Sequence, residues 1–524
     1  MKRRSLLAFG AAALAAPHVA RAQAVRPLRF VPDADLAILD PVLTTSYQTR
    51  DHAMMVFDTL YGQDNAYRVQ PQMVAGHVSE ADGRLWKLTL RDGLMFHDGS
   101  RVLARDAVAS VARWGKRDSF GQALMARIDE MSAPDDRTIQ IRLKSPFPLL
   151  PDALGHYSPS VCAIMPARIA ETEATRAITE MVGSGPFRFK ADERVAGSRV
   201  VYEKFAGYVP RQEPAERTAG GKQVSVERVE WVVIPDTSTV ANALVAGEVD
   251  WWATPVADLL PLLRKSRNIV FPIMVPTGTI ATMRFNQLQK PFDNPAIRRA
   301  VMHAVQQSDY MTAVQGEDRA TWRDGVGYFC PGTPMANAAG MENLTAPRNL
   351  DAVKKELAAA GYAGERVVLF NPTDIPSVKA LAEVTNDMLK KIGMNVDFQT
   401  MDWATAVQRR IKQDPVDAGG WSIFQTSWGG VDQFNPAVHA FLRGNGRDGI
   451  MGWPASPAIE ELRNQWFAAG DLAAQQKAAA ALQLQAFQDV PYIPLGQVLG
   501  PTAHRSDLQG VLTGMPLFWN VRRG

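Results

Sequence analysis

The sequence predicts a mixed α/β fold, α+β in overall character, that contains βαβ units and divides into more than one domain. The clearest observation is a strand–helix–strand pattern across residues 367–399. A second is the period-two alternation of apolar side chains in residues 85–90, which is typical of a half-buried strand. The third is length: 524 residues are too many for one hydrophobic core, so two or three domains are expected.

The first recognisable elements are a strand, two turns and a helix. The strand at 85–90 places Trp86, Leu88 and Leu90 on one face. Residues 91–93 and 97–100 contain the Asp and Gly typical of turns. A helix is predicted at 105–117, with an inward face formed by Val108, Val111, Ala112 and Trp114. Residues 211–223 are polar and contain two adjacent glycines, which predicts an exposed loop.

Further elements are predicted in the C-terminal half. The sequence predicts that a helix begins at Asn294 and Pro295. Asn is a common capping residue, and proline suits the first turn because the N–H groups of that turn have no partner within the helix. Its apolar residues continue with helical period to Met311. The βαβ unit consists of a strand at 367–370, a helix at 376–391 and a strand at 394–399, with a right-handed crossover. A helix at 403–412 follows, and a strand at 498–503 is expected to return to the first domain.

The first 24 residues have the pattern of a cleavable export signal. Lys2, Arg3 and Arg4 precede a short apolar stretch at 5–16, and two Ala-x-Ala patterns offer cleavage sites. That stretch is too short to span a bilayer. The adjacent arginines favour the twin-arginine route over an ordinary Sec signal, and the absence of a terminal Cys argues against a lipid anchor. The mature protein is therefore expected in the periplasm.

Charge and cysteine content limit the possible partners. The formal net charge is +3, and residues 1–24 hold four basic and no acidic side chains, so the remainder carries 3 − 4 = −1. A nucleic-acid partner therefore has no electrostatic support. Cys162 and Cys330 are assigned below to different lobes, and a bridge would lock those lobes together, so free thiols are expected.

The signatures of common enzymes and metal sites are missing. Residues 183–186 lack the G-x-S-x-G spacing that presents a nucleophilic serine. No H-E-x-x-H or C-x-x-C occurs, and the eight histidines are scattered. His97 and Asp98 are adjacent, but their glycine-flanked position predicts a turn held by the Asp side chain. No catalytic residue, metal ligand or cofactor is therefore predicted.

Five segments together resemble the solute-binding protein family 5, the receptors of ABC importers that include the periplasmic dipeptide- and oligopeptide-binding proteins. Their order and spacing match over nearly the whole chain after residue 24. The matching segments are Phe96-His97-Asp98-Gly99, Gly183-Ser184-Gly185-Pro186-Phe187, Pro291-Phe292-Asp293-Asn294, Ala360-Gly361-Tyr362 and Pro491-Tyr492-Ile493-Pro494-Leu495. One departure is Ser184, which stands where the family usually has Thr.

The resemblance implies a two-lobed clamshell of the peptide-binding type with an extra subdomain. Residues 25–56, 186–275 and 488–524 would form the first lobe, residues 57–185 an appended subdomain, and residues 276–487 the second lobe. A small solute or short peptide would bind between the lobes, which close around it and exclude water. The implied partners are this ligand and the permease subunits of the inner membrane, and the receptor itself is expected to be a monomer.

The resemblance also implies which residues bind the ligand. Residues 417–436 resemble the family segment in which an aspartate pairs with the α-ammonium of a peptide, and Asp432 is the matching carboxylate; the alternative is a loop-capping role. Extra residues precede Asp432, and Trp428 stands four positions before it rather than three. Trp428, Trp421 and Trp403 are candidate aromatic walls, although Trp421 lies in a predicted strand and is the most structural of the three.

Four weaker candidates complete the predicted site. Arg410 lies near a basic family position that meets a ligand carboxylate, with a solvated helix face as the alternative. Thr45 and Tyr47 follow the family's Leu-Asp-Pro motif and would run beside the ligand backbone. Phe120 would reach the cleft from the appended subdomain. Alternative ligands are an opine, a sugar or a nickel chelate, and the remote alternatives are a secreted hydrolase and a periplasmic chaperone.

Overall fold

The computed structural model describes residues 26–158 and 160–524. The predicted export signal, residues 1–24, lies outside the described residues. Within the described residues, none of the helices combines the length and apolar character needed to cross a membrane.

The strands, in chain order, are β1 (Leu28–Val31), β2 (Tyr61–Gln63), β3 (Val69–Pro71), β4 (Val74–Glu80), β5 (Leu85–Leu90), β6 (Ile128–Ser132), β7 (Thr138–Leu143), β8 (Phe187–Phe189), β9 (Arg199–Lys204), β10 (Arg228–Val232), β11 (Trp251–Trp252), β12 (Ile269–Val270), β13 (Thr279–Phe285), β14 (Trp322–Arg323), β15 (Arg366–Pro372), β16 (Asn395–Met401), β17 (Ile423–Gly429), β18 (Tyr492–Val498), β19 (Ala503–Arg505), β20 (Leu508–Gln509) and β21 (Arg522–Arg523).

The α-helices are α1 (Tyr47–Val56), α2 (Ala104–Trp114), α3 (Ser119–Met125), α4 (Leu150–Gly155), α5 (Ala167–Ala170), α6 (Thr237–Ala246), α7 (Leu260–Leu263), α8 (Pro295–Ala304), α9 (Gln307–Gln315), α10 (Glu342–Thr345), α11 (Leu350–Ala359), α12 (Pro376–Lys391), α13 (Trp403–Arg409), α14 (Pro457–Ala468) and α15 (Leu472–Asp489).

The first lobe is built on a seven-stranded sheet in the order β12-β19-β11-β1-β10-β9-β8. Its central strand β1 is parallel to both neighbours, β10 and β11. An aromatic cluster fills the core beneath it: the rings of Trp231, Trp251 and Phe518 all lie within 5.8 Å of the Phe30 ring, centroid to centroid. Such edge-to-face groups bury large apolar areas in a fixed geometry, so this lobe presents a rigid wall to its neighbour.

The second lobe contains a six-stranded sheet in the order β14-β18-β13-β17-β15-β16. The βαβ unit predicted at 367–399 is confirmed: β15 and β16 are parallel, and α12 connects them with the predicted bounds. The predicted start of α8 is also confirmed, because the Asn294 side chain accepts a hydrogen bond from the Ala296 N–H and Pro295 occupies the first turn. Strand β13 lies between β17 and β18 and is antiparallel to both.

The appended subdomain carries a four-stranded antiparallel sheet in the order β4-β5-β7-β6. The predicted strand at 85–90 is confirmed, with the predicted face of β5 buried. Helix α2 begins one residue before the predicted start, and the Asp106 carboxylate accepts a hydrogen bond from the Leu103 N–H at 2.8 Å. The Asp98 side chain holds the turn at 97–100 by accepting from the N–H and the hydroxyl of Ser100, as predicted.

Four predicted elements are wrong in extent. Helix α2 ends at Trp114 rather than at residue 117, and α13 ends at Arg409 rather than at residue 412. The helix that begins at Pro295 ends at Ala304, because Val305 and Gln306 are extended and the Gln307 side chain bonds the carbonyls of Val326 and Pro494 instead. The predicted strand at 498–503 is two strands, β18 and β19, interrupted by Gly500 and Pro501, and proline has no N–H for a strand ladder.

The sheet pairings also bear on the expected division into lobes. Strand β18 pairs with β13 and β14 of the second sheet, whereas the expected boundary at 488 assigned it to the first lobe. Residues 271–278 and 499–502 are the two segments that run from one sheet to the other, and they lie side by side, since the Thr502 N–H donates to the Pro272 carbonyl at 3.0 Å. Cys162 and Cys330 are both buried and free, as expected.

The prediction of an exposed loop at residues 211–223 is wrong. Residues 217–222 are buried, and Lys222 is fully buried with its ammonium 2.7 Å from the Asp58 carboxylate. A partner 164 positions away compensates the buried charge, which local polarity does not reveal.

Candidate functional site

A large cavity lies between the two lobes. Its empty volume is about 1180 Å³, including the part open to solvent. Strand ends and loops of the seven-stranded sheet supply most of its wall, together with helix α1. The second lobe contributes the ends of β13, β17 and β18, so the cavity lies beside the two connecting segments. Its lining includes Phe30, Asp33, Tyr47, Arg50, Asp51, Trp231, Met274 and Gly429.

Asp432 lies in the turn after β17 and joins three parts of the molecule. Its residue is only 2% exposed. One carboxylate oxygen accepts a hydrogen bond from the Tyr47 hydroxyl of the first lobe, and the other accepts from the Ser158 hydroxyl of the appended subdomain, each at 2.5 Å. The Tyr47 oxygen in turn accepts from the Gly429 N–H at 2.7 Å. The predicted carboxylate is therefore at the lobe interface.

Gly429 leaves room for the contact between Tyr47 and Asp432. A Cβ atom at Gly429 would lie 2.7 Å from the Tyr47 hydroxyl oxygen and 3.1 Å from an Asp432 oxygen, so a larger residue would displace the Tyr47 side chain.

The electrostatics of Asp432 are those of a buried anion with neutral donors. Burial raises its pKa, and the hydrogen bonds from Ser158 and Tyr47, the positive charge of Arg50 and a hydrogen bond from Trp428 only partly oppose that effect. Hydroxyl groups satisfy the oxygen lone pairs, but they supply no full positive charge.

Arg50 and Asp51 form a buried ion pair behind Tyr47. The guanidinium donates from Nε and from one terminal nitrogen to the same Asp51 oxygen, at 2.9 and 2.8 Å, and it lies 4.7 Å from the centre of the Tyr47 ring. Burial raises the pKa of Asp51 to about 6; Arg50 opposes this, whereas Asp33 raises it further. Neither Arg50 nor Asp51 was predicted. Both lie in α1, whose apolar residues indicate a helix that packs against the core, and no sequence pattern marks the two charged residues as part of a site.

The three tryptophans occupy different environments. Trp428 is half-buried near Asp432, with its ring 4.7 Å from that of Phe441. Trp421 is fully buried in a core cluster with Phe370 and Phe424, remote from the cavity lining. Trp403 begins α13 and is half-buried at the edge of the same cluster. The structure thus brings only Trp428 together with Asp432.

Arg410 lies at the C-terminal end of α13, 5.7 Å from the Trp403 ring and 5.8 Å from the Phe424 ring. Its Nε atom is buried without a hydrogen-bond partner among the described residues. A second arginine that was not predicted, Arg284 of β13, lies 5.4 Å from the same Phe424 ring and is only 3% exposed. The sequence signal for it was a charged residue within a strand that is otherwise uncharged.

Phe120 and Thr45 lie away from the main cavity. Phe120, 1% exposed, borders a smaller space of about 330 Å³ between the appended subdomain and the second lobe, together with His156, Ser158 and Phe434. Thr45 is exposed in the loop before α1 and does not contribute to the lining of the main cavity. Ser158, which bonds Asp432 directly, was missed because a lone serine has no distinctive pattern.

These features define a class of protein. Two sheet-based lobes joined by two adjacent segments, with a large cavity at the joint and a buried carboxylate that touches both sides, form a receptor that encloses a small solute. Residues 68–449 match the model of the bacterial extracellular solute-binding proteins, family 5 Middle, and the chain belongs to this family.

Similar proteins cover almost the whole chain. The probable peptide ABC transporter periplasmic-binding protein y4tO of Sinorhizobium fredii is 35% identical over 100% of this chain and 99% of its own length. The dipeptide-binding protein of Pseudoalteromonas sp. SM9913, solved with Met-Leu, has a TM-score of 0.78 at 18% identity and covers 95% of this chain and 100% of that one. AgaA of A. tumefacien R10, solved with agropinic acid, has a TM-score of 0.77 at 21% identity, over 95% and 99%. The two structures show that the fold is shared.

Proposed function

We propose that this protein captures short peptides or peptide-like amino compounds between its lobes and delivers them to the permease subunits of an ABC importer. Family membership supports the receptor role. The 35% identical relative, which is named as a probable component of a peptide transporter, supports the ligand class. In this role the protein binds and releases its ligand and catalyses no reaction.

The environment of Asp432 is the observation that carries the ligand class. Its carboxylate is almost completely buried at the lobe interface and is hydrogen-bonded by two uncharged hydroxyls. A primary ammonium would supply the positive charge that the hydroxyls lack, and charge-assisted hydrogen bonds are roughly twice as strong as neutral ones. In the proposed complex, the ligand's α-ammonium replaces one hydroxyl, and Tyr47 and Trp428 border the bound ligand.

Lobe movement would occur at the two connecting segments. We take residues 26–56, 186–275 and 499–524 as the first lobe, residues 57–185 as its appended subdomain, and residues 276–498 as the second lobe. The hydrogen bonds from Tyr47 and Ser158 to Asp432 cross this division, so they break when the lobes separate and admit a ligand.

The remaining parts of the proposal concern the cellular setting. The receptor acts as a monomer in the periplasm after cleavage of residues 1–24. The adjacent Arg3 and Arg4 support export by the twin-arginine route. Replacing both with Lys would block appearance of the mature protein in the periplasmic fraction if that route is used, and would leave export intact if the signal is read by Sec.

Calorimetric titration of the mature protein with matched ligands tests the ligand class. Free di- and tripeptides are compared with their N-acetylated forms, and with opines, sugars and nickel chelates. We expect N-acetylation to weaken binding at least about 30-fold, equivalent to about 2 kcal/mol for a lost buried charge pair. Ligand at 100 times its Kd should also raise the unfolding free energy by about 2.7 kcal/mol.

Asp432→Asn provides the matched variant, because it keeps the shape of the side chain and removes its charge. Free peptides should bind this variant about as weakly as acetylated peptides bind the unchanged protein. Equal binding of free and acetylated peptides, or stabilisation by sugars alone that is unaffected by Asp432→Asn, would contradict the proposal.

A further inference from the structure

The charged lining of the cleft has an excess of negative charge. Three charged side chains line it: Asp33, Arg50 and Asp51. Their formal sum is −1, and Asp432 adds a further negative charge on the far side of Tyr47. We call Asp33 and Asp51 the acidic wall.

Arg50 does not fully neutralise this wall. Its two donated hydrogen bonds both end on one oxygen of Asp51. Nothing among residues 26–158 and 160–524 donates a hydrogen bond to the other oxygen, although Asp51 is only 7% exposed. Asp51 lines the cavity, so this oxygen is open to a hydrogen-bond donor that enters the cavity.

Asp33 faces the same space. Asp33 is an exposed residue, and its side chain lines the cavity. Asp33 and Asp51 are close enough that the charge of Asp33 raises the pKa of Asp51. Two mutually repelling carboxylates with one shared cation leave a negative charge unmatched.

The rest of the wall suits an alkyl or aromatic segment next to a positive charge. Phe30, Trp231 and Met274 line the cavity with Asp33 and Asp51. Lysine and arginine side chains bury their methylene stems against apolar surfaces and direct the charged end to a polar partner. Aromatic faces also attract cations at short range.

We propose that the acidic wall binds a second cationic group of the ligand, an ammonium or guanidinium on a flexible stem, so that the receptor prefers basic peptides to neutral ones. This inference rests on the proposed function, since it takes the α-ammonium to lie at Asp432. The unbonded oxygen of Asp51 and the Asp33 carboxylate are the acceptors. Arg50 keeps Asp51 in position and is already occupied by it, which disfavours a ligand carboxylate at the same point.

Pairs of ligands that differ only in one charge test the inference. Lys-Ala is compared with norleucyl-Ala, and Ala-Lys with Ala-norleucine, by calorimetric titration of the mature protein at pH 7.5. We expect the lysine member of at least one pair to bind about 10-fold more tightly or better. Asp33→Asn should reduce that preference to within about 2-fold, because it removes one acceptor charge without leaving Arg50 unpaired.

Two further variants serve as controls. Asp33→Glu retains the charge and should retain the preference for lysine. Asp92→Asn removes a carboxylate on the appended subdomain whose side chain is 85% exposed. It should leave the affinity for both ligands of each pair unchanged. Unfolding midpoints establish that each variant is folded. Equal binding of lysine and norleucine ligands by the unchanged protein overturns the inference, as does a preference that survives in Asp33→Asn.

The outcome is distinguishable from failure of the proposed function. If peptides bind through their α-ammonium but side-chain charge has no effect, only the acidic wall is refuted. If no peptide binds, the proposed function fails, and cadaverine against n-pentylamine then tests the wall directly. Tighter binding of the diamine, lost in Asp33→Asn, supports the wall; equal binding of the two amines refutes it.

Discussion

Two buried cations, one in each lobe, have contrasting surroundings. Lys222 of the first lobe is fully buried, and its ammonium lies 2.7 Å from the Asp58 carboxylate, which also accepts a hydrogen bond from Tyr208 at 2.8 Å. Arg284 of the second lobe is 3% exposed and lies 4.0 Å from the Phe441 ring. Within the part of the chain that the structure describes, Arg284 has no carboxylate partner.

The difference separates charges that complete the fold from charges that remain available. Burial alone would raise the pKa of Asp58, but Lys222 and Tyr208 more than reverse this and hold it below the ordinary value. Burial and repulsion by Arg410 lower the pKa of Arg284. A buried ion pair is internally compensated, whereas an unpaired ion retains part of its desolvation penalty. A charge without a counter-ion is therefore where an incoming ligand would gain most, provided that the ligand can reach it.

Breaking the compensated pair should have the largest effect. Asp58→Ala leaves the Lys222 ammonium buried without a counter-charge, and we expect a loss of about 3–5 kcal/mol in the free energy of unfolding. Urea unfolding monitored by circular dichroism measures it. Asp58→Leu combined with Lys222→Met removes both charges and should recover most of the loss. A loss below about 1 kcal/mol for Asp58→Ala would show that Lys222 finds another partner or water.

Lys222 also shows where sequence reasoning reaches its limit. The βαβ unit and the start of α8 were predictable, because hydrophobic period and capping residues are local features. Residues 211–223 were predicted to be exposed because they are polar. Lys222 is nevertheless buried, because the Asp58 carboxylate, 164 positions away, compensates its charge. The helix from Pro295 was predicted too long for a similar reason: Gln307 bonds distant carbonyls where the helix breaks.

The candidate site shows the same division. The resemblance to a family led to Asp432, Tyr47 and Trp428, which the structure brings together around one carboxylate. The same reasoning grouped Trp421 with them, but Trp421 lies wholly within a core cluster. Ser158 has no local pattern that marks it, because its importance comes from its hydrogen bond to Asp432, 274 positions away. Arg284 is visible in the sequence only as a charged residue within a strand, and nothing local shows that it lacks a carboxylate partner in the described part of the chain.

Two buried histidines extend the comparison to pH dependence. His156 lies 3.2 Å from Asp118; burial alone would lower its pKa, and Asp118 raises it above the ordinary value. His439, 1% exposed, has only neutral partners, among them the Tyr328 carbonyl at 2.8 Å, and burial lowers its pKa to about 3. The contributions of the two histidines to the free energy of unfolding should therefore change with pH in opposite directions. His156 has a carboxylate partner, and His439 has none within the described ranges of the chain.

The sign follows from the proton balance between folded and unfolded chains. Between pH 6.5 and about 3 the unfolded chain binds a proton at His439 that the folded chain excludes, so stability falls as the pH is lowered through this window. The slope approaches about 1.4 kcal/mol per pH unit. The stabilisation from His156 is fully present below about pH 6.5 and is lost as the pH rises through its folded-state pKa.

Urea unfolding from pH 9 to pH 4 checks this prediction. His439→Gln should be less stable than the unchanged protein at pH 7, and the difference in unfolding free energy should narrow as the pH falls. For His156→Gln the difference should be largest and constant below about pH 6.5, and it should narrow as the pH rises through the folded-state pKa of His156. Parallel curves for the unchanged protein and His439→Gln would contradict a buried neutral histidine.

Removing the unpaired cation should have the smallest effect and the opposite sign. Arg284→Met keeps an unbranched stem among Phe424 and Phe441 and removes the buried charge, which two cation–π contacts at 5.4 and 4.0 Å only partly offset. We expect the free energy of unfolding without ligand to rise by about 1 kcal/mol, because the desolvation penalty exceeds the lost attraction. Arg284→Lys is the control: it retains the charge but loses the planar stack, so it should destabilise. A loss of several kcal/mol for Arg284→Met would instead mean that the guanidinium is compensated in the folded protein, and the contrast with Lys222 would no longer hold.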